Sequence, residues 1–146
     1  MGFRFRFETL SRVRKIREDL ALQEFSKAQK VLMDLENLKT AILSRRASVW
    51  QNLTEKMDSG ITAQEIISYN NYIFYLESGI TQVEKQIAKA RKMLETKRQE
   101  LLKKKKEAKA IERLKEIDKE RYSAEEARQE MNFINEIAIQ RHGRVS

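Results

Sequence analysis

Apolar residues in this chain recur every seven positions. Ile66, Ile73, Ile80, Ile87, Leu94, Leu101 and Ala108 form one series, and Tyr69, Leu76, Val83, Ala90 and Ile111 occupy companion positions three residues on. Both series fall on one face of a helix, the seam of a coiled coil. A second series, Ala28, Leu35, Ile42 and Val49 with Val31 and Leu38 between, predicts an earlier helix, preceded by Leu10, Val13, Ile16 and Leu20. That earlier seam weakens where Arg45 and Asn52 fall on its companion positions, and Trp50 and Leu53 are candidates to take over. Trp50 reads either as packing near the turn or as an aromatic for a partner.

Between the two helical patterns lies the one fully specified turn, Asp58-Ser59-Gly60-Ile61-Thr62-Ala63-Gln64-Glu65. Gly60 lacks the Cβ that would clash in the left-handed conformation ending many helices. Thr62 is placed as the next N-cap and Glu65 as its capping-box partner, with Ile61 and Ile66 spaced as a hydrophobic staple. Glu77-Ser78-Gly79-Ile80-Thr81-Gln82-Val83-Glu84 offers the same signals, but the heptads run through Gly79 unbroken, so it reads as a glycine inside a helix. There it costs about 1 kcal/mol relative to alanine. Close approach of a partner would be one reason for it.

The pattern therefore predicts an all-α fold, an antiparallel two-helix coiled-coil hairpin forming a single domain over residues 1–146. Helix 1 spans about 8–57, the turn about 58–62 and helix 2 about 63–141. Pairing residues equidistant from Gly60 uses up helix 1 when helix 2 reaches about residue 112, because both helices rise equally. The rest of helix 2 then overhangs. The heptad phase breaks between Ile111 and Ile117 and resumes as Ile117, Ala124, Met131 and Ala138, with Ala127 and Ile134 beside them. An apolar stripe with no internal cover predicts an external partner or an end that is mobile when free. At the other end Phe3, Phe5 and Phe7 alternate with Arg4 and Arg6 as a short strand would, yet no convincing partner strand appears in the sequence; the stretch is expected to fray or to cap the first helix, with its aromatics against the end of helix 2 or against another protein.

Composition fits this picture. Of 146 residues 36% are charged and 40% hydrophobic, with no proline, the profile of long helices. The absence of cysteine excludes disulfide and thiolate metal chemistry and fits a reducing cytoplasm. No stretch is apolar enough to span a membrane, and the start lacks the apolar core of a secretory signal. The net charge of +8 suits a polyanion, an anionic membrane surface or an acidic protein face. Lys103 to Lys106 is a basic run in which Lys104, like Lys97, takes a seam position with its stem along the seam. No nucleic-acid-binding signature accompanies it, so no nucleic acid is expected. His142, the one histidine, lies near the chain's end, and the carboxylates are spread among Lys and Arg as solvated faces. Without a phosphate loop, a ligand cluster or a water-excluding pocket, a non-enzyme without cofactor or metal is expected.

Phe3-x-Phe5-x-Phe7-Glu8-Thr9-Leu10 before a basic amphipathic helix, Gly60-Ile61, Tyr69 and Tyr72-Ile73-x-x-Leu76-Glu77 in the middle, and Arg113-Leu114-Lys115-Glu116, Tyr122-x-x-Glu125-Glu126-x-Arg128-x-Glu130 and Asn135-Glu136-x-Ala138 at the end together resemble the FliJ family of flagellar export proteins and, more broadly, the stalk proteins of type III secretion. The resemblance covers nearly the whole chain. It implies a non-enzymatic stalk, cytoplasmic and peripheral at the cytoplasmic face of the inner membrane, that enters the ring of a hexameric export ATPase. It also implies binding to the cytoplasmic linker of the export-gate membrane protein FlhA and to export chaperones. Carried onto this chain, the gate cluster falls on Tyr72, Leu76, Gly79 and Val83, whose spacing puts them on one face; Gly79 and Val83 depart from the family's usual alanine and histidine, and Leu76 and Val83 also fit the seam. Helix 1 members map to Leu38, Ile42, Arg45 and Val49. The ring contact is assigned to Phe5, Phe7, Leu10, Arg14, Tyr122, Glu126, Arg128 and Met131. The residues leave two alternatives open, a basic coiled-coil adaptor binding nucleic acid and a self-associating structural coiled coil.

Overall fold

In the computed structural model, which describes residues 2–145, two helices carry almost the whole chain: α1, Glu8–Ser59, and α2, Ala63–Val145. The fold is all-α, and α2, at 83 residues, outlasts α1 at 52. Gly60 has φ +108°, where a side chain would be strained. The Glu65 amide donates to Thr62 Oγ1 at 3.1 Å, so the N-cap forms as its sequence requires. The reciprocal half of the capping box does not: Glu65 Oε2 instead accepts from Lys56 Nζ at 3.2 Å, tying the two helices across the turn.

The chain divides into two compact units. The turn unit is Ala21–Leu101, and the terminal unit combines the chain up to Leu20 with the chain from Leu102 onward.

The turn unit is an antiparallel helical hairpin. Val49, Leu53, Ile73 and Leu76 form its core cluster, with Ile42, Ile61 and Tyr69 packed against it, and Ile80, Val83, Ile87 and Ala90 continue the buried face of α2. The pairs Arg45–Tyr72, Lys39–Glu84 and Glu36–Arg91 step backward on α1 as they step forward on α2. The seam of α2 follows the heptads read from the sequence.

On α1 the companion series lies one residue from its expected place. Val31 and Leu38 are 53% and 46% exposed, while Leu32 is half-buried and Leu53 is 2% exposed. The expected phase would have buried Asn52 and Arg45. The phase adopted buries Leu53 and lets Lys39 run along the seam to Glu84, 3.3 Å away. Trp50 stays 47% exposed. Gly79 faces Ile42, and a Cβ built there would meet Ile42 Cδ1 at 3.9 Å, an ordinary contact. The glycine is therefore not required by the packing of α1 on α2.

In the terminal unit the two helices also run antiparallel, joined by Ser11 Oγ donating to Glu112 Oε1 (3.2 Å), Arg14 Nη1 donating to the Glu107 carbonyl (3.0 Å) and Lys115 Nζ paired with Glu8 Oε2 (3.2 Å). Its covered positions on α2 are Lys104, Glu107, Ala108, Ile111, Lys115, Ile117, Asp118 and Tyr122. The seam phase thus holds to Tyr122, although the apolar residues leave it after Ile111. The phenylalanine-rich start forms no strand. Phe3 lies 5.6 Å from the Tyr122 ring, Phe5 is buried, and Phe7 meets Phe5 edge-on at 5.9 Å.

Candidate partner-binding surfaces

Burying apolar side chains drives helix pairing, so large apolar residues left outside it mark surface for something else. In the terminal unit this inversion is pronounced. Ser11 is buried and Arg14 and Glu18 are half-buried, while Leu10, Val13, Ile16 and Leu20 are 36–57% exposed. Every residue from Ser123 to Arg144 is exposed, including Met131, Phe133, Ile134, Ile137 and Ile139.

All eight residues expected at the ATPase ring fall in this unit, in two environments. Phe5, Arg14 and Tyr122 are covered and hold the unit together. Phe7, Leu10 and Met131 are exposed at 36%, 39% and 57%. Glu126 and Arg128 lie on the exposed end of α2. The Glu126 carboxylate accepts from the Tyr122 hydroxyl, a bond that raises the phenol above its ordinary pKa, with burial adding to the effect. Arg128 Nη2 donates to Glu125 Oε1 at 2.6 Å, which pulls that carboxyl below its usual range. Phe133, Ile137 and Ile139 belong to the same surface and fell outside the heptad series that singled out Met131; their signal is that the apolar stripe there is wider than a two-position seam.

The four residues expected at the export gate fall in the turn unit. Leu76 and Val83 are buried in the seam, Gly79 is half-buried against Ile42, and Tyr72 alone reaches solvent, at 37% exposure. Of the helix 1 members, Ile42 and Val49 pack in the seam and Leu38 is exposed. Arg45 Nε donates to Tyr72 Oη at 3.1 Å with the guanidinium 5.8 Å from the ring centroid, and Tyr75 stacks on Tyr72 at 6.3 Å. The Tyr72 bond holds Arg45 still further toward its charged form. Outside the seam, Phe74 and Tyr75 are each 71% exposed and Ile67 is 59% exposed. Ile67 and Phe74 are seven residues apart, an apolar repeat masked by the stronger one beside it.

Among the described residues no group of three or more His, Cys, Asp or Glu is placed to hold a metal, and no helix is long and apolar enough to cross a membrane.

The family described as Flagellar FliJ protein matches residues 3–146. The chain belongs to the FliJ family. It is 25% identical over 142 residues to the Flagellar FliJ protein of Bacillus subtilis (strain 168), covering 95% of each chain. The solved structure of a putative YscO homolog, CT670, from Chlamydia trachomatis superposes with a TM-score of 0.55 at 23% identity, covering 97% of this chain and 96% of the other, a likeness of fold. Family membership makes this FliJ-type chain a flagellar component of type III protein export.

Proposed function

We propose that this chain is the non-catalytic stalk of the flagellar export apparatus, with the terminal unit as the end that enters the hexameric export ATPase and the turn unit as the part that meets the export gate. The observation that carries the reading is the inverted terminal unit, where polar side chains face inward and Phe7, Leu10, Val13 and Met131 face outward. A free helix pair gains nothing from leaving those apolar side chains in water; a helix pair surrounded by another protein buries both sides. An off-axis pair in a ring meets each subunit differently and so favours closure of one over the others, which is coupling by differential binding.

At the gate, Tyr72 makes the direct contact with the linker of FlhA, while Leu76, Gly79 and Val83 shape the seam from which it projects. Export chaperones use the remaining exposed surface, and the chain sits peripherally at the cytoplasmic face of the inner membrane through these partners. The test is a chain ended after Tyr122, which keeps the Phe3 contact and removes Glu126, Arg128 and Met131. It should lose stimulation of ring assembly and ATP hydrolysis by the cognate export ATPase; undiminished stimulation refutes the role of the exposed end. The same exposed stripe also favours self-association, in which case light scattering of the full chain gives a dimer and that of the shortened chain a monomer.

A further inference from the structure

None of the residues assigned to the ring or to the gate is a lysine of the terminal unit. Between α1 and α2 runs an open groove of about 440 Å³ lined by Lys15 on one helix and Lys105 and Lys109 on the other, with Ser11, Glu18 and Glu112 along it. Of its carboxylates, Glu18 lies 3.7 Å from Lys15, which also pairs with Asp19 at 3.9 Å, while Glu112 accepts from the neutral Ser11 hydroxyl and keeps its charge. Lys104 is drawn to Glu107 at 3.6 Å. Among the described residues Lys103, Lys105, Lys106 and Lys109 are exposed and have no carboxylate within ion-pair distance. Four ammonium groups without an ion-pair partner thus stand within seven residues; helical spacing puts Lys105, Lys106 and Lys109 on one flank, and Lys105 and Lys109 line the groove, where Lys15 of the facing helix is offset by Glu18 and Asp19.

We propose that this lysine flank docks on the headgroups of anionic phospholipid. The chemistry of the cations selects the occupant. All the groove's cations are lysines, compact hydrated point charges suited to a diffuse anionic surface, and it contains no guanidinium fork for bidentate capture of a carboxylate. No aromatic ring lines it as a stacking platform for single-stranded nucleic acid. The flank of two side-by-side helices offers its charges along a broad open side, which suits a bilayer surface. This contact is the chain's own, separate from peripheral attachment through protein partners, and it belongs to the chain whose terminal unit is not enclosed by the ring.

The test is co-sedimentation of the full chain with vesicles of phosphatidylglycerol and phosphatidylcholine, against phosphatidylcholine alone, at about 0.1 M salt, where charges beyond ~10 Å are screened. Binding should require the anionic lipid and weaken as salt rises. Lys105→Gln, Lys106→Gln and Lys109→Gln together should reduce the partition by roughly a hundredfold, about fivefold per lysine. The corresponding Lys→Arg triple should retain it. Lys85→Gln, Lys89→Gln and Lys92→Gln, the same change of charge in the turn unit, should leave it within about twofold, and circular dichroism should report equal helicity in all the variants. Equal loss from both triples, equal binding to phosphatidylcholine alone, or displacement from vesicles by inorganic pyrophosphate or duplex DNA at lower concentration than by soluble phosphatidylglycerol would each overturn the proposal.

Discussion

The two units use the same geometry to opposite ends. In the turn unit the seam is filled by Val49, Leu53, Ile73, Leu76, Ile80, Val83 and Ile87. In the terminal unit the corresponding positions hold Ser11, Arg14, Glu18, Lys104, Glu107 and Lys115 alongside Ala108 and Ile111, and hydrogen bonds replace much of the apolar contact. Charge follows the same division: the terminal unit has eighteen Lys and Arg against twelve Asp and Glu, the turn unit twelve against ten. A hydrogen bond exchanged with water adds about 1 kcal/mol, whereas a buried leucine or isoleucine adds about 1.5–3 kcal/mol. The turn unit is therefore the stable part and the terminal unit the adaptable one. Heptad geometry alone does not make two helices cohere; what occupies the seam does.

Leu53→Ala breaks this comparison most directly. It empties the most covered position of the core cluster and should cost about 3 kcal/mol in chemical denaturation. Ile111→Ala, set among polar neighbours free to relax, should cost about half as much, and amides of the terminal unit should exchange hydrogen faster than those of the turn unit. Equal costs would show the two seams to be equivalent.

The two glycines give effects of opposite sign. Gly60→Ala forces a side chain into the left-handed region and should destabilise by about 1–2 kcal/mol, while Gly79→Ala, with ordinary space at Ile42, should stabilise by about 1 kcal/mol in thermal melts. Arg14→Leu puts an apolar side chain into the polar seam without leaving a buried charge unpaired, and should stabilise the terminal unit by about 1 kcal/mol in hydrogen exchange. The smallest effect is acid weakening of the exposed end of α2. Because Arg128 depresses the Glu125 pKa, the pair adds stability above the unfolded carboxyl's pKa and loses it as pH falls through the lower folded value. Nuclear magnetic resonance should show residues around 125–128 losing helicity in that acid range before the turn unit changes.

Much of this was legible in the sequence because heptads and caps are local. Gly60, Thr62 and the series from Ile66 to Ile111 each state their role within a few residues. The companion series of α1 was not, because Val31 and Leu38 satisfy a helical repeat as well as Leu32 does, and only the facing helix decides which goes inside. Leu10, Val13, Ile16 and Leu20 illustrate the same ambiguity more strongly: they read as seam and lie outside it, while Ser11 and Arg14 find polar partners on α2. For Phe3 and Phe5 both outcomes were open, and Tyr122 decides it for Phe3. At the candidate gate site the spacing put four residues on one face, yet burial separates Tyr72 from Leu76 and Val83, a distinction that spacing does not encode.

Trp50, half exposed in the turn unit, is the chain's one tryptophan. Its fluorescence therefore reports on the turn unit and is blind to the terminal unit, whereas circular dichroism records helix in both. A denaturation curve followed by the two signals separates the units without any label: helicity lost before the emission changes is helicity lost from the adaptable end.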